Sequence, residues 1–160
     1  MTDRDTRLQQ AIAASGHAFD GPILGGGDYV PVLEDADLAW VSGQVPRVGT
    51  QVLVTGRVGE ETTLPQAQEA ARICALRALV LLQRQLGSLE RVARVLRLGV
   101  YVQSAGGFTQ QSEVADAASA LVKSVLGEAG AHTRTSVGVY QLPKNAAVEL
   151  EMTVRTRPAA

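Results

Sequence analysis

Residues 65–86 constrain the fold more than any other stretch of the chain. Ala67, Ala70, Ala71, Cys74, Leu76, Leu79, Leu81, Leu82 and Leu86 recur at helical spacing. They give a helix with an apolar face too wide to leave in water. Thr62 or Thr63 can cap its start, Pro65 suits the first turn and Gly87 ends it. Such a helix needs a sheet or a second helix against it, and the sequence offers both. Residues 110–126 read as a second helix, with Val114, Ala117, Ala118, Leu121, Val122 and Val125 inward and Gly127 at the end.

The remaining periodic segments alternate every second residue, as half-buried strands do. Tyr29–Leu33 and Leu38–Ser42 flank a turn at 34–37 and suggest a hairpin. Gln51–Val54 suggests a short strand within the loop-like 43–63. In Val92–Gln103, Leu96, Leu98, Val100 and Val102 share one face, and Val95, Arg97, Gly99 and Tyr101 the other. Thr133–Gln141 and Ala147–Thr156 are strands joined by Leu142-Pro143-Lys144-Asn145. The order is β-β-α-β-α-β-β after a short amphipathic helix at 3–15. This predicts an α+β domain of two layers, a mixed sheet with two main helices on one face. We divide the chain into 1–27, an N-terminal helix and linker, and 28–157, the domain proper.

Read as a hairpin, the last two strands pair Gln141 with Ala146, which sets Gly138 opposite Glu149, Ser136 opposite Glu151 and Arg134 opposite Thr153. Val137, Val139, Val148, Leu150 and Met152 then point toward the helices. Arg134, Ser136, Glu149 and Glu151 point the other way, onto a mixed face that a second copy of the chain would cover. In that register Arg134 and Glu149 stand about 13 Å apart by strand rise. A substrate spanning a bent sheet, a relayed water or a meeting across a subunit boundary would join them.

Composition removes several function classes. The 160 residues are 46% hydrophobic and carry a net charge of −1, with pI ≈ 6.1. One globular domain is expected, and an electrostatically driven nucleic-acid binder is disfavoured. A single cysteine, Cys74, allows no internal disulfide and no thiolate-rich zinc site, and its place in the apolar pattern makes it a core residue. Two histidines, His17 and His132, offer little for a metal site. The polar, acid-bearing start is neither a signal nor a transit peptide, and no apolar run reaches membrane-spanning length. A cytoplasmic protein that does not engage membranes is expected.

Arg134 on a strand can clamp a carboxylate through two parallel hydrogen bonds, and Glu149 can accept a proton or orient a water. Ion pairs on a solvated or interface face would explain the same residues.

Three segments together resemble the RidA/YjgF family of reactive-intermediate deaminases. The first is Tyr29-Val30 followed by Val41-Ser42-Gly43-Gln44-Val45-Pro46. The second is Gln66-Ala67-Gln68 with Gly87-Ser88-Leu89-Glu90-Arg91-Val92. The third is Arg134-Thr135-Ser136-Val137-Gly138-Val139, Leu142-Pro143-Lys144 and Val148-Glu149-Leu150-Glu151. The resemblance implies the chorismate-mutase-like fold and a homotrimer with sheets inside, helices outside and sites in the clefts between subunits. It implies hydrolysis of small 2-imino or enamine carboxylates, such as 2-iminobutanoate and 2-iminopropanoate, to 2-keto acids and ammonia, without cofactor or metal. By position Arg134 would bind the substrate carboxylate and Glu149 would position water. Tyr29, Ser42, Gly43 and Ser136 would surround the ligand. Ser112 stands where the family often has an asparagine and Ala115 where an aromatic is common, so one side of the pocket is altered. The 1–27 segment marks a longer branch. A trimer that binds a small carboxylate without turnover is the alternative.

Overall fold

The computed structural model describes residues 3–23 and 26–158; of the segment read as a linker, Leu24 and Gly25 lie outside these. Chain order is α1 (Asp3–Ser15), β1 (Val32–Asp35), β2 (Leu38–Gln44), β3 (Arg47–Val48), β4 (Gln51–Val52), α2 (Leu64–Leu86), β5 (Val92–Gln103), α3 (Gln111–Leu126), β6 (Thr133–Val139) and β7 (Val148–Thr156). Five strands form one sheet in the order β1-β2-β7-β5-β6, and β3 and β4 form a small separate ribbon. Only β5 and β6 run parallel; the other neighbours in the main sheet are antiparallel. The α+β two-layer reading holds. Among the described residues no helix is long and apolar enough to cross a membrane.

The local signals act as the sequence suggests. Thr63 caps α2 in a reciprocal box with Gln66, Pro65 sits in the first turn, and Gly87 ends the helix in the left-handed region at φ 80°. Helix α2 packs on β2 and β7, while α3 packs on α2 and on the β5–β6 side. Leu76, Leu79, Leu82, Leu98, Leu150 and Met152 all belong to the buried layer between. Cys74 is fully buried there, and burial pushes its thiol far above the ordinary range.

Helix α1 docks against α2 and α3 rather than standing off. Leu8 is fully buried, and so is Asp5 nearly. The Asp5 carboxylate accepts hydrogen bonds from the Leu89 N–H (2.9 Å), the Ser88 hydroxyl (2.7 Å) and the Gln83 amide (2.8 Å). Arg4 closes the same contact from the other side, donating to the carbonyls of Leu89 and Val92.

The sheet corrects the sequence reading in four places. First, β6 and β7 are not a hairpin: β5 lies between them, pairing β6 on one edge and β7 on the other. Second, this reverses the face of every β6 residue. Thr135, Gly99 and Glu151 form one row across the sheet, and Val137, Tyr101 and Glu149 the next. Arg134, Leu98 and Met152 share a row on the helix side, as do Ser136, Val100 and Leu150. So Arg134 and Ser136 point toward α3, Glu149 and Glu151 point to the open face, and Val137 is 40% exposed instead of packed. Third, register shifts between Val92 and Arg94 and between Val95 and Arg97 turn Val95 into the core. Fourth, boundaries move. Strand β1 begins at Val32, the hairpin turn centres on Ala36 with φ 53°, β4 stops at Val52, and β6 stops at Val139.

Candidate functional site

The residues singled out in the sequence gather in two clusters, one on each side of the sheet. The first surrounds Glu149. Strand β2 carries a bulge against β7: Val41 pairs with Met152 and Gln44 with Leu150, leaving one extra residue on β2. The bulge presses Gly43 onto the Glu149 side chain. A Cβ built at Gly43 would lie 2.0 Å from Glu149 Oε1, so only glycine lets the carboxylate sit there. Tyr29, Gly43 and Glu149 line one pocket together with Gly26, Gln44, Val45, Arg47, Arg77, Pro143 and Lys144. The Tyr29 hydroxyl accepts the Gly26 N–H at 3.1 Å. Ser42 does not line this pocket; its hydroxyl donates to the Val30 carbonyl at 2.9 Å and so fastens the segment that carries Tyr29.

Glu149 is half-buried. Burial chiefly, and the neighbouring Glu151 charge second, raise its carboxyl pKa above the usual carboxylate range. Glu151 stands one row away and accepts a hydrogen bond from the Tyr101 hydroxyl at 3.0 Å. A carboxylate with raised pKa beside a small pocket is suited to taking a proton from water.

The second cluster surrounds Arg134, over the N-terminal half of α3. Its Nη1 donates to Asp116 Oδ1 and to Ser119 Oγ, both at 2.9 Å, and its Nη2 approaches the Ser112 carbonyl at 3.4 Å. Ser112 and Ser136 hydroxyls lie 3.4 Å apart beside it. The structure therefore unites Arg134, Ser112 and Ser136, and unites Tyr29, Gly43 and Glu149. It puts the two groups on opposite faces.

Three residues of the arginine cluster were not singled out as site residues from sequence: Asp116, Ser119 and His132. His132 Nδ1 lies 2.6 Å from the Gly130 carbonyl and its Nε2 2.9 Å from Ser119 Oγ. A carbonyl only accepts, so Nδ1 carries the proton. Nε2 of the neutral ring then accepts from the Ser119 hydroxyl, whose oxygen accepts from Arg134. This chain of donors fixes one orientation of the guanidinium. Burial lowers the His132 pKa and keeps the ring neutral. Helical spacing of Ser112, Asp116 and Ser119 on one face was the available signal. Ser119→Ala should remove roughly one charged hydrogen bond from the network that orients Arg134, a cost of about 1–2 kcal/mol in stability. Thermal denaturation of both proteins checks it.

Among the described residues no group of three or more histidine, cysteine or acidic side chains is placed to hold a metal ion.

The comparisons with known proteins agree with this architecture. The family model described as "YjgF/chorismate mutase-like, putative endoribonuclease" matches residues 12–152. Protein TCP17 of Trypanosoma cruzi is 48% identical over 115 residues, covering 71% of this chain and 72% of that protein. The crystal structure of a protein of unknown function from Agrobacterium tumefaciens superposes with a TM-score of 0.85 at 35% identity, over 98% of this chain and 94% of that one. A crystal structure from Shewanella oneidensis, titled a "putative endoribonuclease", gives 0.85 at 24% identity, over 92% of this chain and 98% of that one. With the two-layer fold and a family match spanning most of its length, the chain belongs to the YjgF/chorismate mutase-like family.

Proposed function

We propose that the protein hydrolyses small 2-imino carboxylates, or their enamine tautomers, to 2-keto acids and ammonia in clefts between the subunits of a homotrimer. The supporting observation is the separation of Arg134 from Glu149 by the sheet itself. Within one chain no small substrate touches both. Between two copies, the Arg134 cluster of one can close over the Glu149 pocket of the next. The open face favours such an assembly, since it exposes Leu33, Trp40 and Val137 among its charged residues.

The chemistry is undemanding. An iminium carbon is already electrophilic, so the protein need only orient it and supply water. Arg134 holds the carboxylate. Glu149 accepts a proton as water adds to the carbon; that proton then goes to the nitrogen, and the C–N bond breaks as the new hydroxyl gives up its proton, by way of Glu149, to the departing ammonia. One iminium and one water become one 2-keto acid and one ammonium ion.

The test is a trapping assay. An amino-acid oxidase generates 2-iminopropanoate, semicarbazide captures what survives, and the protein should lower the captured yield. Arg134→Met should reduce kcat/KM about a hundredfold, as loss of a charge-assisted contact to the substrate carboxylate does. An unchanged yield with the wild-type trimer would defeat the proposal. It would favour the second reading, a trimer that binds a small carboxylate through the same arginine without turnover.

A further inference from the structure

Three cationic residues are among those that line the Glu149 pocket: Arg47, Arg77 and Lys144. Arg77 is only 4% exposed. It donates to Gln44 Oε1 at 3.1 Å and to the Arg47 carbonyl at 2.7 Å, both neutral acceptors. Arg47 Nε is buried with no acceptor at all among the described residues. Lys144, held at φ 58° in the turn before β7, is exposed. No ion pair among the described residues joins any of the three to a carboxylate, Glu149 included. Burying unpaired positive charge is costly, and an unsatisfied buried donor adds to that cost. The arrangement suits an anion that arrives from outside.

Size limits what that anion is. The pocket has ≈ 60 Å³ of free room, enough for about four waters. A single carboxylate fits this room. We infer that the substrate carries a second carboxylate on its side chain and that this pocket takes it, so the preferred substrates are 2-imino dicarboxylates, with Arg47 as the specificity-determining residue. This rests on the deaminase reading above. Arg134 of one subunit holds the carboxylate next to the imine, Glu149 serves the imine carbon, and the far carboxylate meets the Arg47 guanidinium and the Lys144 ammonium. Arg77, buried in the lining, adds fixed positive charge.

The experiment compares imines made in place from aspartate, glutamate and alanine by the matching oxidases, with semicarbazide as trap. Wild-type kcat/KM should be about tenfold higher for the dicarboxylates, the worth of one charge-assisted contact. Arg47→Met should bring the ratio close to one. A wild-type ratio of one or below overturns the inference whether or not the variant assembles, while leaving the deaminase reading intact. If no imine is turned over, that reading fails, and direct titration decides the pocket. Tighter binding of 2-oxoglutarate than of 2-oxobutanoate, lost in Arg47→Met, supports it; equal binding overturns it. Inorganic phosphate that binds together with 2-oxobutanoate also overturns it, because the anion would then be a separate ligand.

Discussion

Glu149→Gln should abolish most turnover and at the same time make the protein more stable. Glutamine has nearly the same shape but accepts no proton, so the addition of water loses its base. Losses of about a hundredfold to ten-thousandfold in kcat are usual for such a change. The gain in stability follows from the direction of the pKa shift. The Glu149 carboxyl is raised by burial and by Glu151. Between its ordinary value and the raised one, the folded protein therefore holds a proton that the unfolded chain has released. Stability falls as pH rises through that interval, and at neutral pH the full cost of a half-buried charge is present. An uncharged glutamine escapes it. The expected readouts are a lost burst of ammonia and a melting temperature raised by a few degrees at pH 7, with the gain vanishing below the ordinary carboxylate range. The same shift makes the wild-type kcat climb with pH through the raised value and then level off. A variant that is both inactive and less stable than wild type at pH 7 would contradict this account of Glu149.

Asp5→Ala should produce a large loss of stability from the removal of one side chain. It leaves three donors, the Leu89 N–H, the Ser88 hydroxyl and the Gln83 amide, without the carboxylate that now satisfies them. At roughly 1 kcal/mol for each, about 3 kcal/mol is expected. In a domain of this size that is a fall of about 10 °C in melting temperature. Asp5→Asn keeps one acceptor and should fall between. Scanning calorimetry on the three proteins checks the order; a change under two degrees in the alanine variant would mean that α1 is not fastened there.

Much of this fold is legible in the sequence because its local signals agree with one another. The Thr63–Gln66 capping box, Pro65 and Gly87 delimit α2, and the wide apolar face between them announces a buried helix. The last two strands show where local reading stops. A short polar link between two alternating segments reads as a hairpin, yet here it passes around the end of β5. Crossing one intervening strand takes two inter-strand steps, about 10 Å, which residues 140–147 cover easily. The buried Gln103 side chain makes that route hold. Its Oε1 accepts from the Leu142 N–H at 2.8 Å and its Nε2 donates to Asn145 Oδ1 at 2.6 Å, while Lys144 and Asn145 adopt positive φ. Pairing partners are chosen by such long-range contacts, which no window of the sequence contains. Because the side-chain period is two, the wrong neighbour reversed the face of Arg134 and Ser136.

The site residues divide along the same line. Gly43 and Glu149 meet because of a bulge, and Arg134 meets Ser119 and Asp116 because of helix packing. Residue type pointed to each of the two principal groups, an arginine for a carboxylate and a glutamate for a proton. It could not say that His132 sets the arginine through Ser119, since that link depends on a tautomer fixed by the Gly130 carbonyl.

If Arg134 of one copy serves the Glu149 pocket of another, the sheet that separates them also ties chemistry to mass action. If the cleft forms only between copies, the rate per chain is a function of total chain concentration, and dilution acts as an inhibitor without touching any residue. A substitution on the open face far from Glu149, at Trp40 for instance, then lowers activity by shifting an association equilibrium. Selection for turnover on such a molecule acts on its surface as much as on its pocket.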